Sequence, residues 1–189
     1  MALKISRNSV VQQIAGLEKP AHAVSIASFV ARRTPEAELP QRIEDANAVI
    51  AALRAAGTSS FYAAEHAKLF TNPDGAVSVR GRLKASFEVE HGLPPRRAAK
   101  MADCVLFVSA KAGDTSRIGA FEAMANTALA KGVPFTVAAD VVYYSSHNCD
   151  AADFARRCLQ TSLKQGKPMD VSQIELASHL QSALSAAGY

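Results

Sequence analysis

Tryptophan is absent from this 189-residue chain, aromatic residues make up only 6% of it, and cysteine occurs three times. The three cysteines, Cys104, Cys149 and Cys158, are an odd number without metal-ligand spacing. That excludes a disulfide scaffold and points to a reducing compartment. His147 and Cys149 lie close together, but no second ligand pair accompanies them, so no metal is expected. No apolar run approaches the ~20 residues of a membrane span. The opening MALKISRNSVVQQIAGLEKP lacks the sustained apolar stretch of a secretory signal, so the chain reads as cytoplasmic. Three phosphate or nucleophile signatures are also missing. There is no GxGxxG, no GxxxxGK[ST] and no GxSxG, which argues against a dinucleotide fold, a P-loop nucleotidase and an α/β-hydrolase.

What is present is an ordinary globular balance, with 49% hydrophobic and 20% charged residues and a net charge of +4. The basic residues are scattered: Arg32-Arg33, Arg96-Arg97 and Arg156-Arg157 stand apart. Without a basic stripe or interleaved aromatics, nucleic acid is not an expected partner, whereas a small anion would suit a few convergent arginines.

Residues 1–20 read as a short amphipathic leader ended by Pro20, with residues 21–189 forming one domain that carries C-terminal helices. Four segments read as strands: Ala23–Val30, Ser60–Ala64, Cys104–Val108 and Val133–Ala138, the last with a continuation at Val141–Tyr144. Helices alternate with them. Gln41–Ala56 places Ile43, Ala46, Ile50 and Leu53 on one face and stops at Gly57. Arg82–His91, Arg96–Met101 and the segment after Gly119 follow, then Ala151–Lys164 and Ser172–Ala186. Asn72-Pro73-Asp74-Gly75 marks a turn. This alternation predicts an α/β fold: a doubly wound, mostly parallel sheet in a Rossmann- or flavodoxin-like three-layer sandwich. Ligands of such sheets bind at the carboxyl ends of strands.

Three clusters would then meet at that edge. The loop Gly113–Gly119 offers Asp114, Thr115, Ser116 and Arg117 before a helix that begins near Glu122. Helix N-termini favour anions, and Gly119 would admit a ligand close to the backbone. The bland alternative is a helix-terminus acid favoured by the macrodipole. Glu65-His66 closes the second expected strand; its plainer reading is a solvated strand end. Ser25, Ser28, Arg32 and Arg33 close the first and could hold a phosphate, or form only a polar loop.

At these residues the chain resembles the nucleoside 2-deoxyribosyltransferase superfamily, in particular its 2-deoxynucleoside 5-phosphate N-hydrolase branch, over roughly residues 22–140. VSIASFVARR looks like the family's opening strand and loop, and SSFYAAEH looks like its second strand. ADCVLFV, followed by TSRIGAFEAMANTALAKGVPFTV, is similar to the motif that carries the family's glutamate. The resemblance implies an N-glycosidase that needs no cofactor and cleaves the base–sugar bond of a nucleoside or nucleotide. Glu122 would be the nucleophile, trapping an oxocarbenium-like centre. Ser28, Ser116 and Gly119 would line the sugar and 5-phosphate pocket, with Arg32, Arg33 and Arg117 adding positive charge and Glu65 and His66 facing the same crevice. Pro95 stands where the family carries an aspartate, which leaves Glu88, Glu90 or Asp114 to handle protons. Homodimers or larger assemblies are implied as well, and Leu176, Leu180 and Leu184 offer an apolar stripe. Two other readings stay open: an NAD-cleaving domain of the Toll/interleukin-receptor kind, and a catalytically silent nucleotide-binding module.

Overall fold

Every regular element of the computed structural model, which describes residues 7–14 and 16–144, is helical. The chain divides into two units, Met1–Arg80 and Gly81–Tyr189. The first contains α1 (Arg7–Gln13), α2 (Pro20–Arg33), α3 (Leu39–Ala55) and α4 (Ser60–His66). The second contains α6 (Pro95–Ala112), α7 (Ile118–Ala130) and α8 (Phe135–Tyr144). The intervening α5 (Pro73–His91) contributes residues to both units.

In the first unit α4 packs against both α2 and α3, and α1 packs on α2. Val10, Ile26, Val30, Ile43, Val49, Ile50 and Leu53 form its core. Arginine and asparagine side chains tie the ends together. Asn47 Nδ2 donates to the Gln13 carbonyl at 2.8 Å, and Arg42 Nη2 donates to the Ala67 carbonyl at 2.6 Å. In the second unit α6, α7 and α8 pack mutually. The centre is α6, where Met101 to Ala110 are buried without interruption. The run includes the polar Asp103 and Ser109, and it is flanked by the exposed Arg96, Arg97 and Lys100 before it and Lys111 after it. The helix ends at Gly113, whose φ of 70° allows its own N–H to bond to the Ser109 carbonyl, as does that of Asp114.

The expected α/β sandwich is therefore corrected: the described residues contain no strand, no sheet and no Rossmann-like crossover. Each expected strand lies within a helix or at its start. Ala23–Val30 belongs to α2, where Ala23, Ile26, Ala27 and Val30 are buried at i, i+3, i+4 and i+7. That is helical spacing carried partly by β-branched residues. Cys104–Val108 is the middle of α6. A short apolar run has no period of its own, and length decides between strand and helix. Pro95 to Gly113 holds no internal glycine or proline, enough for five turns of helix. Ser60–Ala64 becomes α4, initiated by Ser59, whose hydroxyl accepts the Tyr62 N–H at 3.4 Å. Val133–Ala138 leads into α8, burying Val133, Val137, Val141 and Val142.

The amphipathic reading of Gln41–Ala56 stands: Ile43, Ala46, Ile50 and Leu53 are all buried in α3. Pro20 opens α2 rather than closing a leader. The Asn72 turn is a helix start, its Oδ1 accepting the N–H groups of Asp74 and Gly75. Cys149, Cys158, His147, the two terminal helices and their leucine stripe lie outside the described residues.

Candidate functional site

The carboxylate singled out as a nucleophile has a structural partner. Glu122, on α7, is gripped by Arg82 of α5 through two parallel bonds, Nη1 to Oε1 at 2.8 Å and Nη2 to Oε2 at 2.9 Å. Both oxygens are engaged by one guanidinium, in the two-pronged geometry characteristic of arginine and carboxylate. The Glu122 side chain is 14% exposed and that of Arg82 56%. The hydrogen bonds that Arg82 donates to Glu122 hold its pKa above the ordinary value. No strand occurs among the described residues, so Glu122 does not stand at the strand-end edge expected from the sequence.

The residues expected around it serve local structure. Asp114 caps the 3-10 turn Thr115–Arg117, accepting the Ser116 N–H at 2.8 Å and the Ser116 hydroxyl at 2.7 Å. These bonds hold its pKa below the ordinary carboxylate value, with a smaller contribution from Arg117, whose Nε lies 3.8 Å away. A carboxylate so stabilised in its charged form is a poor proton carrier. Gly119 lies in the first turn of α7, and a Cβ there would meet no other atom of the described residues within 4 Å. Glu90 accepts from Ser86 Oγ at 2.8 Å and, at 3.5 Å, from Asn126 Nδ2, while Asn126 Oδ1 meets His91 Nε2 at 3.1 Å.

In the first unit Ser28 donates to the Val24 carbonyl one turn back, at 2.7 Å, a bond internal to α2. His66 is fully buried with its ring stacked on Tyr62. Arg32 is exposed. Glu65 is buried and joins a three-membered cluster. Lys68 Nζ lies 2.7 Å from each Glu65 carboxylate oxygen and 2.8 Å from Ser25 Oγ, and Ser25 in turn donates to Glu65 Oε1 at 3.2 Å. An ammonium has three protons, and three acceptor atoms surround this one.

Lys68 also lines a groove of about 560 Å³, within the range of small-molecule sites. Its walls come from the end of α2, the segment Thr34–Glu38, the first turns of α3 and the chain after α4. Three cations face it, Arg33, Arg42 and Lys68, with Glu38 and Asp45 as acids and Phe29 as the aromatic surface. The Arg33 guanidinium lies over the Phe29 ring, 4.6 Å from its centroid. No carboxylate among the described residues pairs with it. Arg42 is held by the Ala67 carbonyl, and its Nη1 is buried without a partner. Burial lowers the Arg42 pKa, and the charge of Asp45 partly restores it. Of the residues singled out from sequence, only Arg33 lines this groove. Phe29 and Lys68 were accessible only as spacings, Phe29 four residues before Arg33 and Lys68 three after Glu65. Arg42 had no local signal.

Among the described residues no group of histidine, cysteine and carboxylate side chains is arranged to hold a metal, and no helix is long and apolar enough to cross a membrane. Comparison with known proteins is negative throughout: no family model, no curated protein and no solved structure matches the chain.

Proposed function

We propose that the first unit is a small-molecule binding module whose groove takes an anionic ligand, with Arg33 as its anchor. The observation that carries this reading is the state of Arg33. Its guanidinium carbon lies 4.6 Å from the Phe29 ring centroid, its charge is unmatched by any carboxylate of the described residues, and it lines a groove of ligand size. A guanidinium held by a cation–π contact keeps its N–H donors for phosphate or carboxylate oxygens. Arg42 adds a second reason. A cation that has lost hydration gains most from a nearby anion. Lys68 adds field rather than bonds, because Ser25 and Glu65 take up its protons.

Titration calorimetry on the full chain tests this with phosphate and small phosphomonoesters. Saturable binding is expected, weakened at least tenfold by Arg33→Gln and unchanged by Glu122→Gln. Equal affinity in the Arg33→Gln variant, or no binding by any of these anions, overturns the assignment.

A further inference from the structure

The groove's lining is not that of a bare anion site, and we infer that its ligand joins an anionic group to a planar heteroaromatic ring that carries N–H donors. The inference rests on the anion-binding reading and extends it. Three features of the wall set the requirement. The first is an aromatic and guanidinium surface. The Arg33 guanidinium carbon lies over the Phe29 ring, 4.6 Å from its centroid, and both residues line the groove. A planar π-system stacks on either component, whereas a saturated sugar or aliphatic acid gains little from them. The second is acceptor capacity. Asp45 accepts one bond at Oδ1, from Gln41 Nε2 at 3.0 Å, which leaves Oδ2 for a ligand donor, and Glu38 stands on the same lining. Carboxylates in a site for a simple anion would repel it, so their presence selects a ligand that donates hydrogen bonds elsewhere. The third is separation of roles. With the Lys68 ammonium enclosed by Ser25 and Glu65, direct bonds to the anionic group fall to Arg33 and to the unpartnered Nη1 of Arg42, which leaves the ring to the Phe29–Arg33 surface.

The test compares a ligand with its two halves on the full chain, by calorimetry: adenosine 5′-monophosphate, ribose 5-phosphate and adenosine, with inorganic phosphate as the minimal anion. Adenosine 5′-monophosphate is expected to bind at least tenfold tighter than ribose 5-phosphate or adenosine. Phe29→Leu is expected to narrow the ratio between the two phosphates to within threefold. Because Phe29 is half-buried against the core, Arg33→Lys at an exposed position is measured beside it; it keeps the charge, removes the guanidinium surface and is expected to narrow the same ratio. Equal affinity for the two phosphates in the wild type overturns the ring requirement and leaves the anion site standing. Adenosine binding as tightly as its phosphate overturns the anion anchor, and no binding by any of the four overturns both readings.

Discussion

The two units of the chain bury different chemistry. Among the described residues the first encloses Thr58, Ser60, Glu65, His66 and Arg80, whereas the second encloses only Asp103 and Ser109 as polar groups. The second is organised around α6, buried without interruption from Met101 to Ala110, and its charged contacts, such as Arg82–Glu122, lie toward the surface. In the first, Lys68 holds Glu65 and Arg42 holds the Ala67 carbonyl beside the groove, while the hydroxyls of Thr58 and Ser60 are buried without a partner. Buried polar groups cost stability, and more so where a partner is missing, so the first unit carries a cost that the second largely avoids.

Removing apolar volume from α6 tests this contrast most severely. Leu106→Ala, at a fully buried position, is expected to destabilise the second unit by about 3 kcal/mol, measured by denaturant unfolding followed by circular dichroism. A loss below about 1 kcal/mol would contradict the role of α6 as the central core helix.

In the first unit the corresponding weak point is electrostatic. Glu65→Ala leaves Lys68 as a nearly buried cation without its carboxylate, and the expected cost is about 3 kcal/mol. Glu65→Gln, which keeps acceptor capacity toward Lys68, is expected to lose clearly less. Identical losses in the two variants would mean that packing rather than charge holds the cluster.

The Arg82–Glu122 contact should matter less, because Arg82 is more than half exposed. Glu122→Ala is expected to cost about 1 kcal/mol or less. The same variant, assayed for release of free base from deoxynucleotides and NAD, separates a fastening role from a nucleophilic one: base release in the wild type that disappears in the variant would restore the catalytic assignment.

The smallest expected effect has the opposite sign. Gly81 lies within α5, where an added Cβ meets nothing within 4 Å, so Gly81→Ala is expected to stabilise by roughly 0.5 kcal/mol. A destabilised Gly81→Ala protein would show that this position needs a conformation other than the helical one.

Legibility in the sequence follows the same division between local and distant causes. α3 was readable because its buried residues recur at helical spacing and Gly57, with φ of 82°, ends the segment. α2 carries the same signal, yet Val, Ile and Phe among small residues also fit a strand by propensity. In α6 the start, Arg96–Met101, reads as helix, whereas Cys104–Val108 is an apolar run too short to show a period by itself. The absence of any breaker between Pro95 and Gly113 was the usable clue. Arg33 and Glu65 were noticed as polar residues near segment ends, but their partners arise from tertiary placement. The Phe29 platform and the Lys68 protons became assignable only once α2, α3 and α4 were brought together.

The enclosure of Lys68 has a consequence for reactivity. The Lys68 side chain is only 11% exposed and its nitrogen is enclosed by a carboxylate and a hydroxyl, which keeps an electrophile from reaching it. Under amine-directed acylation Lys68 should be modified among the last of the lysines on the described surface, and the onset of its labelling with rising denaturant would report when α2 and α4 part.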